Sequence, residues 1–174
     1  VIGGALLAML MIMTVSRAAF SDTTSNPDNA WDAGTVLLTD NHQSPATAMF
    51  DEGPLKPGDS GSACIGVIYN GNVESNVVLS AIDTTGSTGL EDAIDVVIDK
   101  SDGSTCGNGT TTPVYTGGLD SFSGDTGHWT ASSAGTMYYY NVAWTFTSTG
   151  TNAGDNMLQG LNATAAFTWT ATSN

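Results

Sequence analysis

Basic side chains are nearly missing from this sequence. Its 174 residues carry only Arg17, Lys56 and Lys100 against 17 aspartates and glutamates, a net charge of −14. A surface of that sign repels phosphate backbones, which argues against any nucleic-acid partner. Charged residues of both signs make up only 11% of the chain, so the polar surface has to come from Ser, Thr, Asn and Gly. Histidine is as scarce: His42 and His128 stand far apart, and no HExxH occurs. That leaves no recognisable ligand set for catalytic zinc. Cysteine is limited to Cys64 and Cys106, too widely spaced for a CxxC redox or metal motif. In an oxidising compartment they form one disulfide; the alternative is two buried free thiols.

The scarcity of histidine also decides how "KPGDSGSACIGVIY" (residues 56–69) is read. Gly58-Asp59-Ser60-Gly61 matches the surroundings of a trypsin-like serine nucleophile. A nucleophilic serine needs a base and a group orienting that base. His42 precedes Ser60 too closely to leave room for a first barrel, Asp51 and Asp59 are the only aspartates between them, and Ser62 stands where a second glycine belongs. The stretch is therefore read as a turn: proline presets one corner, glycine permits positive φ, and the Asp and Ser side chains cap local amides. Acidic residues are plentiful at Asp51 and Glu52 and at Glu91, Asp92 and Asp95, but no EF-hand spacing occurs. No enzyme activity, no metal and no cofactor is expected. Trp129 and Tyr138–Tyr140 are read as core residues before sugar-binding ones. Asn108-Gly109-Thr110 and Asn162-Ala163-Thr164 fit the N-glycosylation sequon, a weak signal in a Thr-rich chain.

Long apolar runs are confined to the start. Val1–Val15 ("VIGGALLAMLMIMTV") has no charge and favours a helix apolar on every side. With Ser16-Arg17-Ala18 behind it, the run has the form of a signal h-region and cleavage site. Kept in place, it is a helix of about 22 Å, short of the ~30 Å hydrocarbon layer, as in pilin-like subunits whose helices wait in the membrane and then pack together. Retention is the favoured reading. Gly3, Gly4, Ala5 and Ala8 permit close helix approach, and Ile2, Leu6, Leu7, Leu10 and Ile12 supply the apolar contacts. Three regions follow: an apolar helix over 1–19, an extended arm over 20–33, and a β-domain over 34–174.

Beyond Phe20, runs of β-branched and aromatic residues alternate with Gly, Asp, Asn and Pro. The predicted strands are Gly34–Thr39, Ala63–Tyr69, Asn76–Ile82, Ala93–Asp99, Pro113–Thr116, Thr136–Thr147 and Ala163–Thr172. Period-2 alternation puts Tyr138, Tyr140, Val142, Trp144 and Phe146 on one face, and likewise Ala163, Ala165, Phe167 and Trp169. No segment of useful length has helical period. The fold class is mainly β, an antiparallel β-sandwich.

"SRAAFSDTTSNPDNAWDAGTVLLTDN" (residues 16–41) resembles the start of the TasA/camelysin family of exported proteins. The matching positions are Ala18, Ala19, Phe20, Ser21 and Asp22, then Trp31, Ala33, Gly34 and Thr35. Leu55-Lys56-Pro57-Gly58-Asp59 resembles the turn that opens a strand in that family, and Phe167–Ala171 resembles the closing strand of its branch with paired cysteines. The resemblance implies a jelly-roll domain and a structural role in extracellular, cell-surface fibres and biofilm matrix. It implies the chain itself as partner: the arm from Phe20 to Ala30 completes the sheet of a neighbour, with Phe20 as its apolar anchor, Trp31 a further assembly residue, and the membrane involved only before assembly. A tethered or cell-wall-associated binding module that does not polymerise is the competing expectation.

Overall fold

The structure is a computed structural model that describes residues 34–41, 48–86 and 89–174. The chain divides between Ala33 and Gly34, and Gly34–Asn174 forms an antiparallel sandwich. Its strands are β1 (Leu38–Asp40), β2 (Ser60–Tyr69), β3 (Ser75–Gly86), β4 (Ile94–Ser101), β5 (Thr111–Gly118), β6 (Thr126–Ala131), β7 (Thr136–Phe146) and β8 (Ala163–Ser173). One sheet runs β1-β2-β7-β4-β5 and the other β6-β3-β8. The chain crosses from one sheet to the other between β2 and β3, between β3 and β4, and between β5 and β6. It crosses again from β6 to β7 and from β7 to β8. None of these pairs is joined as a simple hairpin within a sheet.

The alternation in β7 is realised as read. Tyr140, Val142, Trp144 and Phe146 are buried, whereas Thr145 on the opposite face is exposed. β7 lies between β2 and β4, with Ala63 opposite Val142 on one side and Ile98 opposite it on the other. The core gathers Ile65, Val67, Val77, Leu79, Val96 and Ile98 around it.

Sequence reading misses one strand, β6, because Thr126–Ala131 ("TGHWTA") holds only six residues and a glycine. Its Trp129 is 5% exposed and packs at 4.7 Å from Tyr138, so tertiary packing makes this strand where local preference is weak. The expected strand at Gly34–Thr39 shrinks to Leu38–Asp40, paired with Tyr69–Val67. Val36 and Leu37 stay exposed. Two short helical pieces correct the helix-free reading: a 3-10 turn at Glu91–Ala93 and a helix, α1, at Asn152–Met157. The Thr151 hydroxyl caps α1 by accepting from the Gly154 N–H. The Asp155 carboxylate accepts from the Thr149 hydroxyl and N–H and from Ser148, which holds it below the usual carboxylate range. With only six residues, α1 carries no apolar stripe that periodicity would reveal.

The two sheets are tied by polar bonds as well as by apolar packing. Tyr140, fully buried on β7, donates to the Gly127 carbonyl at 3.3 Å and accepts from the Trp129 indole N–H at 3.1 Å. Lys100 on β4 is 8% exposed, and its ammonium donates to the carbonyls of Gly127 and His128 while lying 5.1 Å from the Tyr138 ring centre. Burial lowers the Lys100 pKa and Asp102 partly offsets that. The strand missed in the sequence is thus the one that both of these side chains hold.

Candidate assembly surface

Ser60 opens β2 directly behind the turn, as read. The Asp59 N–H donates to the Lys56 carbonyl at 3.0 Å, and Gly58 has φ +94°. With proline and then a left-handed glycine at its two corners, this is a type II turn. The Asp59 carboxylate accepts from the Lys56 N–H at 2.9 Å and pairs with the Lys56 ammonium at 3.1 Å. The Lys56 amide first, and then its side chain, hold Asp59 below its ordinary pKa. Gly58→Ala is expected to cost about 1–2 kcal/mol, because alanine is strained at that φ. Chemical denaturation checks it, and an unchanged midpoint would show that the turn has no such requirement.

Gly61, the residue that completes the protease-like tetrapeptide, has a packing reason. A Cβ added there would lie 2.8 Å from the Trp144 indole nitrogen. His128 is exposed on β6 and His42 lies outside the described residues, so no base is placed beside Ser60 among the described residues.

Cys64 and Cys106 are joined, with Cα atoms 6.0 Å apart. Cys64 sits on β2 opposite Asn141 of β7, and Cys106 lies in the β4–β5 loop with its sulfur near the Tyr140 carbonyl. The bridge therefore spans across β7. The carboxylates considered for calcium do not converge: among the described residues no group of three or more His, Cys, Asp or Glu side chains could hold a metal ion. Asp95 accepts from the Thr147 hydroxyl at 2.7 Å, and the neighbouring Asp120 carboxyl, by hydrogen bonding and then by like charge, raises the Asp92 pKa. Asn108 and Asn162 are both exposed, in the β4–β5 loop and just before β8. Trp129 and Tyr140 belong to the core. The expected assembly residues Ile2, Leu6, Leu7, Leu10, Ile12, Phe20 and Trp31 lie outside the described residues.

What the sandwich does present is an apolar groove. A five-stranded sheet faces a three-stranded one, and the mismatch leaves a groove of about 810 Å³ open to solvent. Phe50, Leu55, Ile94, Phe146, Leu161 and Phe167 line it. Trp144 also borders it, 8% exposed, and its indole N–H has no acceptor among the described residues. β8 forms one wall. The inner-face residues Ala163, Ala165, Phe167 and Trp169 alternate with exposed neighbours, as their spacing predicts, yet all four remain only half-buried. The reason is position: β8 is an outer strand, with β3 on one side and no strand on the other among the described residues.

The remaining outer strands are blunted in ways that discourage pairing with a further strand. β1 is three residues long, β6 is six, and β5 carries Pro113 and ends in Gly117-Gly118. Short length, proline and irregularity are the usual protections. β8 has none of them: eleven residues without charge, proline or glycine. Sequence analysis shows its alternation but not its outer position, which depends on pairings far apart in the chain. No family model matches the sequence, and no curated protein matches it either.

Proposed function

We propose that the protein is a structural subunit of an extracellular surface filament, assembling with its own copies through its N-terminal segment. The observation that carries this reading is the apolar groove between the unequal sheets. An apolar groove next to an unblunted outer strand gains stability when a further segment fills it. Residues 1–33 hold apolar side chains in excess of what the acidic, hydroxyl-rich domain carries on its surface, with Phe20 and Trp31 as anchors of the arm. Supplied by a neighbour, such an arm makes a head-to-tail contact, which propagates into an open chain. The family resemblance of residues 16–41 supports the same reading. The membrane serves as a holding place before assembly; among the described residues no helix is long and apolar enough to cross it.

Electron microscopy and sedimentation of the full chain test this. Fibres are expected, and the double variant Phe20→Ser/Trp31→Ser is expected to abolish them while leaving the circular dichroism spectrum of the sandwich unchanged. A full-length chain that stays monomeric in plain buffer would overturn the reading. So would fibres that persist in the double variant, or a particle that depends on detergent and never polymerises; the last is the behaviour of a tethered binding module.

A further inference from the structure

The sequence of β8 reads nearly the same in both directions about Thr168. Phe167 answers Trp169, Ala166 answers Thr170, and Ala165 answers Ala171. Two antiparallel copies related by a two-fold axis through Thr168 therefore place aromatic against aromatic and small residues against small or hydroxyl-bearing ones. Aromatic residues meet on the inner face and small or hydroxyl-bearing residues on the outer face. The register also satisfies the backbone. The Thr168 carbonyl accepts from the Ser80 hydroxyl at 3.2 Å and so points toward β3. Because direction alternates along a strand, the amides and carbonyls of Phe167 and Trp169 point toward the open side. In the two-fold register Phe167 and Trp169 of opposite copies become a hydrogen-bonded pair, and the two Thr168 residues become a close, non-hydrogen-bonded pair.

From these features we propose that the open side of β8 pairs with β8 of a second copy, antiparallel and centred on Thr168, joining two three-stranded sheets into one of six strands. The occupant is a second copy because the strand is complementary to itself and carries no charge that would repel its twin across the axis. On the inner side a cleft of about 250 Å³, bordered by Leu38, Thr39, Asp40 and Val67 and by Phe167, Thr168 and Trp169, lies between β1 and β8. The contact is closed, in contrast to the open head-to-tail contact through the N-terminal segment. It uses the sandwich alone and does not rest on the filament reading. An arm entering beside β8 would take the same side, so each β8 holds either an arm or its twin.

The full chain has only two cysteines, both in the disulfide, so one engineered cysteine is the sole free thiol. Opposed Cα atoms of a non-hydrogen-bonded pair lie about 4.5 Å apart, within disulfide reach. Thr168→Cys is expected to give a covalent dimer on mild oxidation, read on a non-reducing gel. Ala166→Cys and Thr170→Cys should each stay monomeric, since the two copies of either residue lie about 13 Å apart, four residues along the strand. An equimolar mixture of those two variants should cross-link. Thr168→Lys, on the exposed outer face, should abolish the dimer in sedimentation with the circular dichroism spectrum unchanged. A Thr168→Cys chain that stays monomeric would overturn the proposal, as would equal cross-linking of all three single variants. All of these variants are made in the Phe20→Ser/Trp31→Ser background, where no arm competes for β8, so this contact and the N-terminal one fail or stand separately.

Discussion

Reducing the Cys64–Cys106 bridge, or replacing both cysteines with alanine, is expected to lower the unfolding free energy by about 4 kcal/mol. The closed loop spans 42 positions, and the loop-entropy relation gives that magnitude. For a domain of this size the melting temperature should fall by roughly 10–15 °C. The bridge does more than close a long loop. It joins β2 to the segment after β4 with β7 between them, so the three central strands of the larger sheet cannot separate while it holds. Thermal unfolding with and without reductant checks the figure. A shift below about 3 °C would mean that the reduced chain keeps the β4–β5 loop in place through other contacts.

Tyr140 is the second position where a large effect is expected. Its ring fills the centre of the sandwich, packing edge-on to Trp169 at 5.2 Å, so Tyr140→Ala should cost about 3–5 kcal/mol through lost burial and the cavity left behind. Tyr140→Phe keeps the ring and removes the hydroxyl. It strands the Trp129 indole N–H, with a cost of about 1–3 kcal/mol.

The same hydroxyl sets a pH dependence. Burial pushes its pKa up to about 12, against the lowering effect of the Trp129 donor. The unfolded tyrosine ionises near pH 10, so between pH 10 and 12 the unfolded state binds fewer protons than the folded one. The stabilisation is complete below pH 10 and is lost toward pH 12, by about 3 kcal/mol in all. Lys100 works in the opposite sense, since its lowered pKa makes the unfolded state bind more protons just below 10.5. Urea titrations at pH 9 and 11.5 measure the net loss. Tyr140→Phe should flatten that part of the curve, and an equally steep loss in the variant would assign it elsewhere.

The β class of the fold was legible wherever a strand carries a strong period of two. β7 announces its buried face because it is paired on both sides and one face is fully covered. β8 announces its alternation equally well, but the half-burial of that face could not be read. It depends on how many strands the opposing sheet has, and strand count per sheet is a property of long-range pairing. β6 was not legible because two side chains from the other sheet, Tyr140 and Lys100, define it through backbone carbonyls that have no sequence signature. The turn at Lys56–Asp59 was legible because proline and glycine act locally. The candidate acceptor groove left no trace in the sequence, since its walls come from five separate stretches of chain; the N-terminal segment proposed to fill it stands out at once by its apolar composition.

The sulfur bridge also bears on how a subunit behaves when pulled. A load applied through the beginning and end of the sandwich can peel β1 or β8, but residues between Cys64 and Cys106 stay out of its reach. Roughly 140 Å of extensible backbone is withheld in each subunit, so a strand of such units would stretch less and recoil sooner than its chain length suggests.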